Sequence, residues 1–216
     1  MPNSSTPILS ELSRSEVAIL KKLSTPIKIQ NFLDAMPLNW EKQGETYMSP
    51  RRVMRAHKMH CFEGALLAAA ALWLRGEPPL IFDLRVKGDD DHVVALYKRH
   101  GHWGAISKTN HASLRFRDPI YKTLRELALS YFHEYFSNQT SKKILREYST
   151  KPFNLKRFGT QWITAEEDLY KIVDAIDAAP HSTIIPKSNI KYLRKADVME
   201  LRAGKLIEWK RADHRT

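Results

Sequence analysis

Apolar residues recur along the chain in two rhythms, one helical and one alternating, and the places where the rhythm changes mark out its elements. Behind a start rich in serine and glutamate, Val17, Ile19, Leu20 and Leu23 predict a short helix over Ser15 to Leu23. A second helix is predicted from Pro26 to Met36 on Ile27, Ile29, Phe32, Leu33 and Met36, with Thr25 as N-cap and Pro26 in the first turn. Pro37 ends it, and the polar stretch from Leu38 to Pro50 has no period and reads as a loop. From Cys61 to Arg75 the chain is rich in Ala and Leu all round, with Glu63 near the start and Gly76 just past the end. That is the strongest helix, and its lack of a polar face predicts burial.

After Pro78-Pro79 the rhythm shortens to two. Leu80 to Val86 reads as a strand, Lys87 to Asp91 as a charged turn, and His92 to Lys98 as a second strand; His100-Gly101 then turns the chain back into a third, His102 to Ser107. Further helices are predicted from Pro119 to about Phe136, and from Glu166 to Ala178 with Thr164 or Ala165 as cap and Pro180 as stop. The tail beyond Ser182, with Val198-Met-Glu-Leu and Leu206-Ile-Glu-Trp around Ala203-Gly204, fits a hairpin or a continued helix. The expected organisation is an N-terminal helical segment over 1–49, a core over 50–136 and a C-terminal helical extension over 137–216 packed on it.

Composition narrows the classes. With 216 residues, 43% hydrophobic and 27% charged, the chain suits one globular unit with a core of its own. The longest apolar run, Gly64 to Leu74, is shorter than the roughly 18 residues of a membrane span, and Met1-Pro-Asn-Ser-Ser-Thr-Pro lacks the features of a secretory signal. A cytoplasmic location without membrane association is therefore expected, and the single cysteine, Cys61, fits a reducing compartment. The net charge of +11 is spread in pairs such as Lys21-Lys22, Arg51-Arg52, Lys98-Arg99, Lys142-Lys143 and Lys210-Arg211 rather than massed in one block. It reads as a solvated basic surface suited to an acidic partner, and with no nucleic-acid motif present, nucleic acid is not expected. His57 and His60 have no second ligand pair for zinc, and Asp89-Asp90-Asp91 lacks the glycine and distal glutamate of a calcium loop, so neither metal nor cofactor is expected.

What remains is a thiol. A helix N-terminus stabilises a thiolate through its unpaired N–H groups and dipole, and Cys61 stands where the buried helix begins. An imidazole to take the thiol proton, itself oriented by a third polar group, completes the requirement. His92 opens the second strand, and the returning third strand can supply the orienting group.

The text His60-Cys61-Phe-Glu-Gly-Ala-Leu-Leu-Ala-Ala-Ala, then Asp91-His92-Val-Val-Ala-Leu-Tyr, then Gly101-His102-Trp103-Gly-Ala-Ile-Ser107, in that order, resembles the transglutaminase-like superfamily over residues 50–120. The resemblance implies an α+β, papain-like fold in which the helix carrying the cysteine packs on an antiparallel sheet with further helices on both sides. It also implies acyl chemistry on a peptide or amide substrate, with Cys61 as nucleophile and His92 as base. The family's aspartate, four residues after the tryptophan, is replaced by Ser107. Ser107 and Asn110 are the candidates for the third member, with Asp118 a charged alternative beyond the strand. Arg55, His57 and His60 lie in the segment leading to Cys61 and are candidate donors only. Ser107 or Asn110 is expected within hydrogen-bonding reach of His92, with Trp103 packed nearby to exclude water.

Overall fold

The structure is a computed structural model that describes residues 12–42 and 44–206. It is an α+β arrangement built on one antiparallel seven-stranded sheet. In chain order the elements are α1 (Arg14–Lys22), α2 (Pro26–Ala35), α3 (Pro50–Ala56), α4 (Cys61–Leu74), β1 (Leu80–Val86), β2 (His92–Arg99), β3 (His102–Ile106), β4 (Arg117–Tyr121) and α5 (Leu124–Phe132). They continue as β5 (Leu145–Ser149), β6 (Phe153–Asn154), α6 (Tyr170–Asp177), β7 (His181–Thr183) and α7 (Val198–Gly204), with three short 3-10 turns between them. The strand order is β4-β3-β2-β1-β5-β7, and β6 pairs with β1 beside β5.

The sheet is covered on both faces because its central strand is apolar on both. On β2, Val93, Ala95 and Tyr97 face α4 and the N-terminal helices, whereas Val94 and Leu96 join Phe82, Leu84, Leu127 and Tyr131 on the side of α5. Helix α4 is buried from Phe62 to Leu74 and is surrounded by α1, α2, α3 and the sheet. Its four successive alanines, Ala68 to Ala71, let it lie close to those neighbours without leaving voids. At its first turn Gly64 allows a second close approach. A Cβ there would sit 2.6 Å from the Cβ of Lys108, so the chain just after β3 is brought against the start of α4 only because residue 64 has no side chain. Lys108 itself reaches back to the Leu33 and Met36 carbonyls at the end of α2.

The meander matches the alternation in the sequence: β1, β2 and β3 fall where the period of two predicts them, and His100 and Gly101 both take positive φ (47° and 83°), as a two-residue hairpin turn requires. Other expectations change. Residues 119–136 are not one helix: Pro119 lies in the edge strand β4, where a missing N–H is tolerated, and α5 starts only at Leu124. Its start is set by a reciprocal cap between Thr123 and Glu126. The stretch after residue 136 is not a helical extension alone, since β5, β6 and β7 complete the same sheet. Helix α6 begins at Tyr170 rather than Glu166, and α3 occupies residues expected to be loop and lead-in. Val198-Met-Glu-Leu is helical, while the remainder of the Leu206-Ile-Glu-Trp segment, with Trp209 and Lys210-Arg211, lies outside the described residues, as does the N-terminal Met1-Pro-Asn-Ser-Ser-Thr-Pro. Among the described residues, no helix is long and apolar enough to cross a membrane.

Candidate active site

Cys61 is the first residue of α4, where the unpaired N–H groups of the opening turn converge. Four residues before it the chain leaves α3 through His57 in the left-handed conformation (φ 52°), and backbone bonds from Asn39 N to Met59 O (3.0 Å) and Met59 N to Pro37 O (3.2 Å) fix its path. The helix start is tied by Glu63, which is fully buried and whose carboxylate accepts from His60 N (2.9 Å), Met48 N (3.1 Å), Thr46 Oγ1 (2.9 Å) and Asn39 Nδ2 (3.3 Å). The His60 ring also lies against this carboxylate, with Nε2 3.4 Å from Oε1 and 2.8 Å from the Thr46 carbonyl. Arg55 is spent on an exposed pair with Glu166 (2.9 Å) and His57 is exposed, so of the three residues leading in, only His60 belongs to the site.

His92, at the head of β2, is 4% exposed, and its Nε2 lies 2.8 Å from Ser107 Oγ. The direction of that bond can be assigned. Ser107 has one hydroxyl proton, and it is donated to the Leu114 carbonyl at 2.9 Å. The serine oxygen therefore accepts from Nε2–H, and in the neutral ring Nδ1 is the proton acceptor. Ser107 is itself fixed by Gln30 of α2, whose side-chain amide accepts from Ser107 N (2.9 Å) and donates to Ser107 O (2.8 Å). Asn110 lines the same cavity but makes no bond to His92, and Asp118 is exposed on the edge strand β4.

Water is excluded from His92 by different residues than expected. Tyr131 and Tyr135 of the α5 region meet the imidazole edge-on, with ring centroids 6.3 and 6.2 Å away. Trp103 instead pairs with Lys98 and Tyr121 and lies under the Lys98 ammonium. It is four residues from Ser107 along β3, and at about 3.3 Å per residue it is beyond reach of the ring.

The thiol shares the lining of one cavity with two imidazoles, those of His60 and His92. Burial raises the pKa of Cys61, but hydrogen bonds with His60 and His92 and the charges of both rings outweigh it and bring the thiol down to about 5. Burial lowers the pKa of His60, which is nonetheless raised by its bonds to Cys61 and Glu63. A thiolate held by imidazolium is thus the favoured state at neutral pH. In the thiol form, Sγ lies 3.7 Å from the Asp91 carbonyl, a contact that the proton can bridge. The carboxylate of Asp91 closes the β1–β2 turn, its Oδ1 accepting from Val86 N at 2.8 Å.

Compared with models of known protein families and with curated proteins, the chain matches none. Its chemistry must therefore be argued from the site. Cys61 and His92 open onto a cavity of about 480 Å³, within the range of small-molecule and peptide side-chain sites. Among the described residues no group of His, Cys, Asp and Glu is placed to hold a metal ion. His111, whose Nδ1 is buried without a hydrogen-bond partner, also lines the cavity and is held neutral by burial and by the neighbouring charge of His92.

The assigned tautomer yields a prediction. In Ser107→Ala the Nε2–H has no acceptor, so the neutral form of the His92 ring, followed in the Cys61→Ala background at a pH where the ring is uncharged, is expected to shift to the Nδ1–H tautomer. Long-range nitrogen–proton correlation spectra of the imidazole distinguish the two forms, and an unchanged Nε2–H pattern in the variant rejects the assignment. Loss of folding stability of about 1–3 kcal/mol is expected alongside, because the Leu114 carbonyl also loses its donor.

Proposed function

We propose that this protein carries out thiol-dependent acyl transfer or hydrolysis on a peptide or amide substrate, as a protease, amidase or transglutaminase-like enzyme, with Cys61 as nucleophile and His92 as its proton-transfer partner. The observation that carries this reading is the bond from His92 Nε2 to Ser107, which leaves Nδ1 for exchange with the thiol. A cysteine-bearing helix packed on an antiparallel sheet whose next-but-one element opens with the histidine supports the papain-like core that goes with it.

In this reading the Cys61 thiolate adds to the substrate carbonyl, forming a C–S bond and an oxyanion that the Cys61 N–H at the start of α4 is oriented to receive. Collapse of the oxyanion breaks the C–N bond, and His92 gives its Nδ1 proton to the leaving amine. Water or a second amine then attacks the thioester, returns a proton to His92 and releases Cys61. Ser107 orients the ring but adds no negative charge to steady imidazolium. This matters less for a cysteine than for a serine nucleophile, since the low thiol pKa means that the thiolate already exists before substrate arrives.

The test is product formation. The wild-type protein, incubated with a pool of short peptides containing side-chain carboxamides and supplied with hydroxylamine, is expected to yield hydroxamates or cleaved peptides by mass spectrometry, and Cys61→Ala none. Ser107 in the place of a carboxylate favours a second reading, a domain without turnover that binds an acidic partner through its basic surface. That reading prevails if Cys61→Ala and wild type give the same products while charge reversal of exposed lysines abolishes binding to a polyglutamate probe.

A further inference from the structure

The cavity beside Cys61 has the opposite charge to the protein around it. Seven carboxylates line it, although the chain as a whole carries +11. Glu41 and Glu45 stand on the side of the loop before α3, Asp89 and Asp90 come from the β1–β2 turn, and Asp83, Asp91 and Asp177 come together from β1, the head of β2 and the end of α6. Among the described residues the one lysine in the lining, Lys108, directs its ammonium at the Leu33 and Met36 carbonyls. At physiological ionic strength charges farther than about 8 Å are largely screened, so a ligand in the cavity responds to these carboxylates and not to the distant basic surface.

Asp83 is the decisive group. It is 2% exposed and lines the cavity together with its cross-strand partner Val93. Its Oδ2 is bound by His181 Nε2 at 3.0 Å, but its Oδ1 is buried without a hydrogen-bond partner. A buried carboxylate oxygen with no donor is costly, and at the wall of a cavity a bound donor is what would meet it. The His181 ring, whose Nδ1 donates to the Ala179 carbonyl at 2.7 Å, meets Asp83 only on the Oδ2 side; Arg85 stands farther off, 3.7 Å from Asp83 Oδ2 and 4.0 Å from Asp91 Oδ2, shared between them and Glu147. Burial and the charge of Asp83 raise the pKa of both Asp91, to about 6, and Asp177. The wall beside them is apolar, formed by Val93, Val173 and Ile176.

An apolar wall that ends on an unpartnered carboxylate fits an alkyl stem with a cationic head. We propose that this limb of the cavity binds the ammonium or guanidinium end of a lysine- or arginine-like group, with Asp83 Oδ1 as the buried acceptor and Asp177 as a second carboxylate. The enzyme therefore selects basic peptides. The inference rests on the acyl-transfer reading for the reacting atom, Cys61, but the binding it describes needs no chemistry.

Agmatine, a guanidinium joined to an ammonium by a short alkyl chain, is the probe, titrated calorimetrically into Cys61→Ala, which cannot turn over. Saturable binding is expected, with neutral pentanamide and anionic glutarate failing to bind. Asp83→Asn is expected to weaken agmatine at least tenfold, and Asp177→Asn, at an exposed position that folding does not depend on, by a smaller factor. No agmatine binding to Cys61→Ala, glutarate binding as tightly, or unchanged affinity in both aspartate variants overturns the proposal. Because these arms involve no acyl product, they can fail while hydroxamate formation succeeds, and succeed while it fails.

Discussion

Alkylation of Cys61 by iodoacetamide is expected to rise through an ionisation near pH 5 and to be level from about pH 6.5 upward, whereas an ordinary thiol titrates near 8.5. The sign follows from the surroundings. Burial alone would push the thiol up, but the neighbouring His60 and His92 rings and their positive charge outweigh it, and a group stabilised in its charged form loses its proton earlier. At pH 7 a thiol of pKa about 5 is about 99% thiolate, against about 3% for a free one, although the lower basicity also makes each thiolate a weaker nucleophile. The midpoint is therefore a better readout than the rate at one pH. His92→Ala and His60→Ala should each move the midpoint upward, and the double variant should bring it to about 8 or higher. A wild-type midpoint near 8.5 that ignores His92→Ala would falsify the activated thiol and with it the proposed chemistry.

Replacing Glu63 by leucine is expected to lower the unfolding free energy by about 3–5 kcal/mol, the loss found when one partner of a buried ionic network is removed. Two backbone N–H groups, the Thr46 hydroxyl, the Asn39 amide and the His60 ring all converge on this fully buried carboxylate, and leucine leaves each of them unmet in the interior. Urea denaturation of the Cys61→Ala background measures the loss without interference from the thiol. Glu63→Gln, which keeps the shape and one acceptor, should destabilise less. It should still raise the Cys61 midpoint, since an uncharged partner no longer holds His60 protonated. A loss below 1 kcal/mol in Glu63→Leu would mean that the donors find other partners.

Much of the site could be read from the chain because it is local in sequence. Cys61 at a helix start, His92 at a strand head and Ser107 on the return strand are each placed by an element whose period is plain, and a two-residue turn brings β3 alongside β2. The residues that escaped notice act across long separations. Gln30 reaches Ser107 from 77 positions away, and nothing in an amphipathic helix marks one glutamine as the group that fixes a strand end. Asp83 gave no sign because it sits among the apolar residues of β1, and its significance depends on α6 and β7 closing over it. Glu63 could have been found, since a glutamate three residues after the residue before the helix is capping-box spacing. The helix expected from Pro119 failed because periodicity ignores the pull of an open strand edge on β3, which takes residues 117–121 into the sheet.

That edge bears on how a peptide substrate of the proposed kind could reach Cys61. Many peptide-binding proteins recruit their ligand as an additional strand, which requires an open row of main-chain donors and acceptors at a sheet margin. Here one margin is β4, which carries Pro119 in mid-strand, preceded by the charged Arg117 and Asp118, and the other is made by β7 and β6, three and two residues long. Neither presents a usable ladder, and both resist unwanted association with another chain. Under the proposed acyl-transfer reading, recognition would fall to side chains reaching into the cavity, so sequence preference in a substrate should reside in one or two residues around the reacting carbonyl and tolerate wide variation elsewhere.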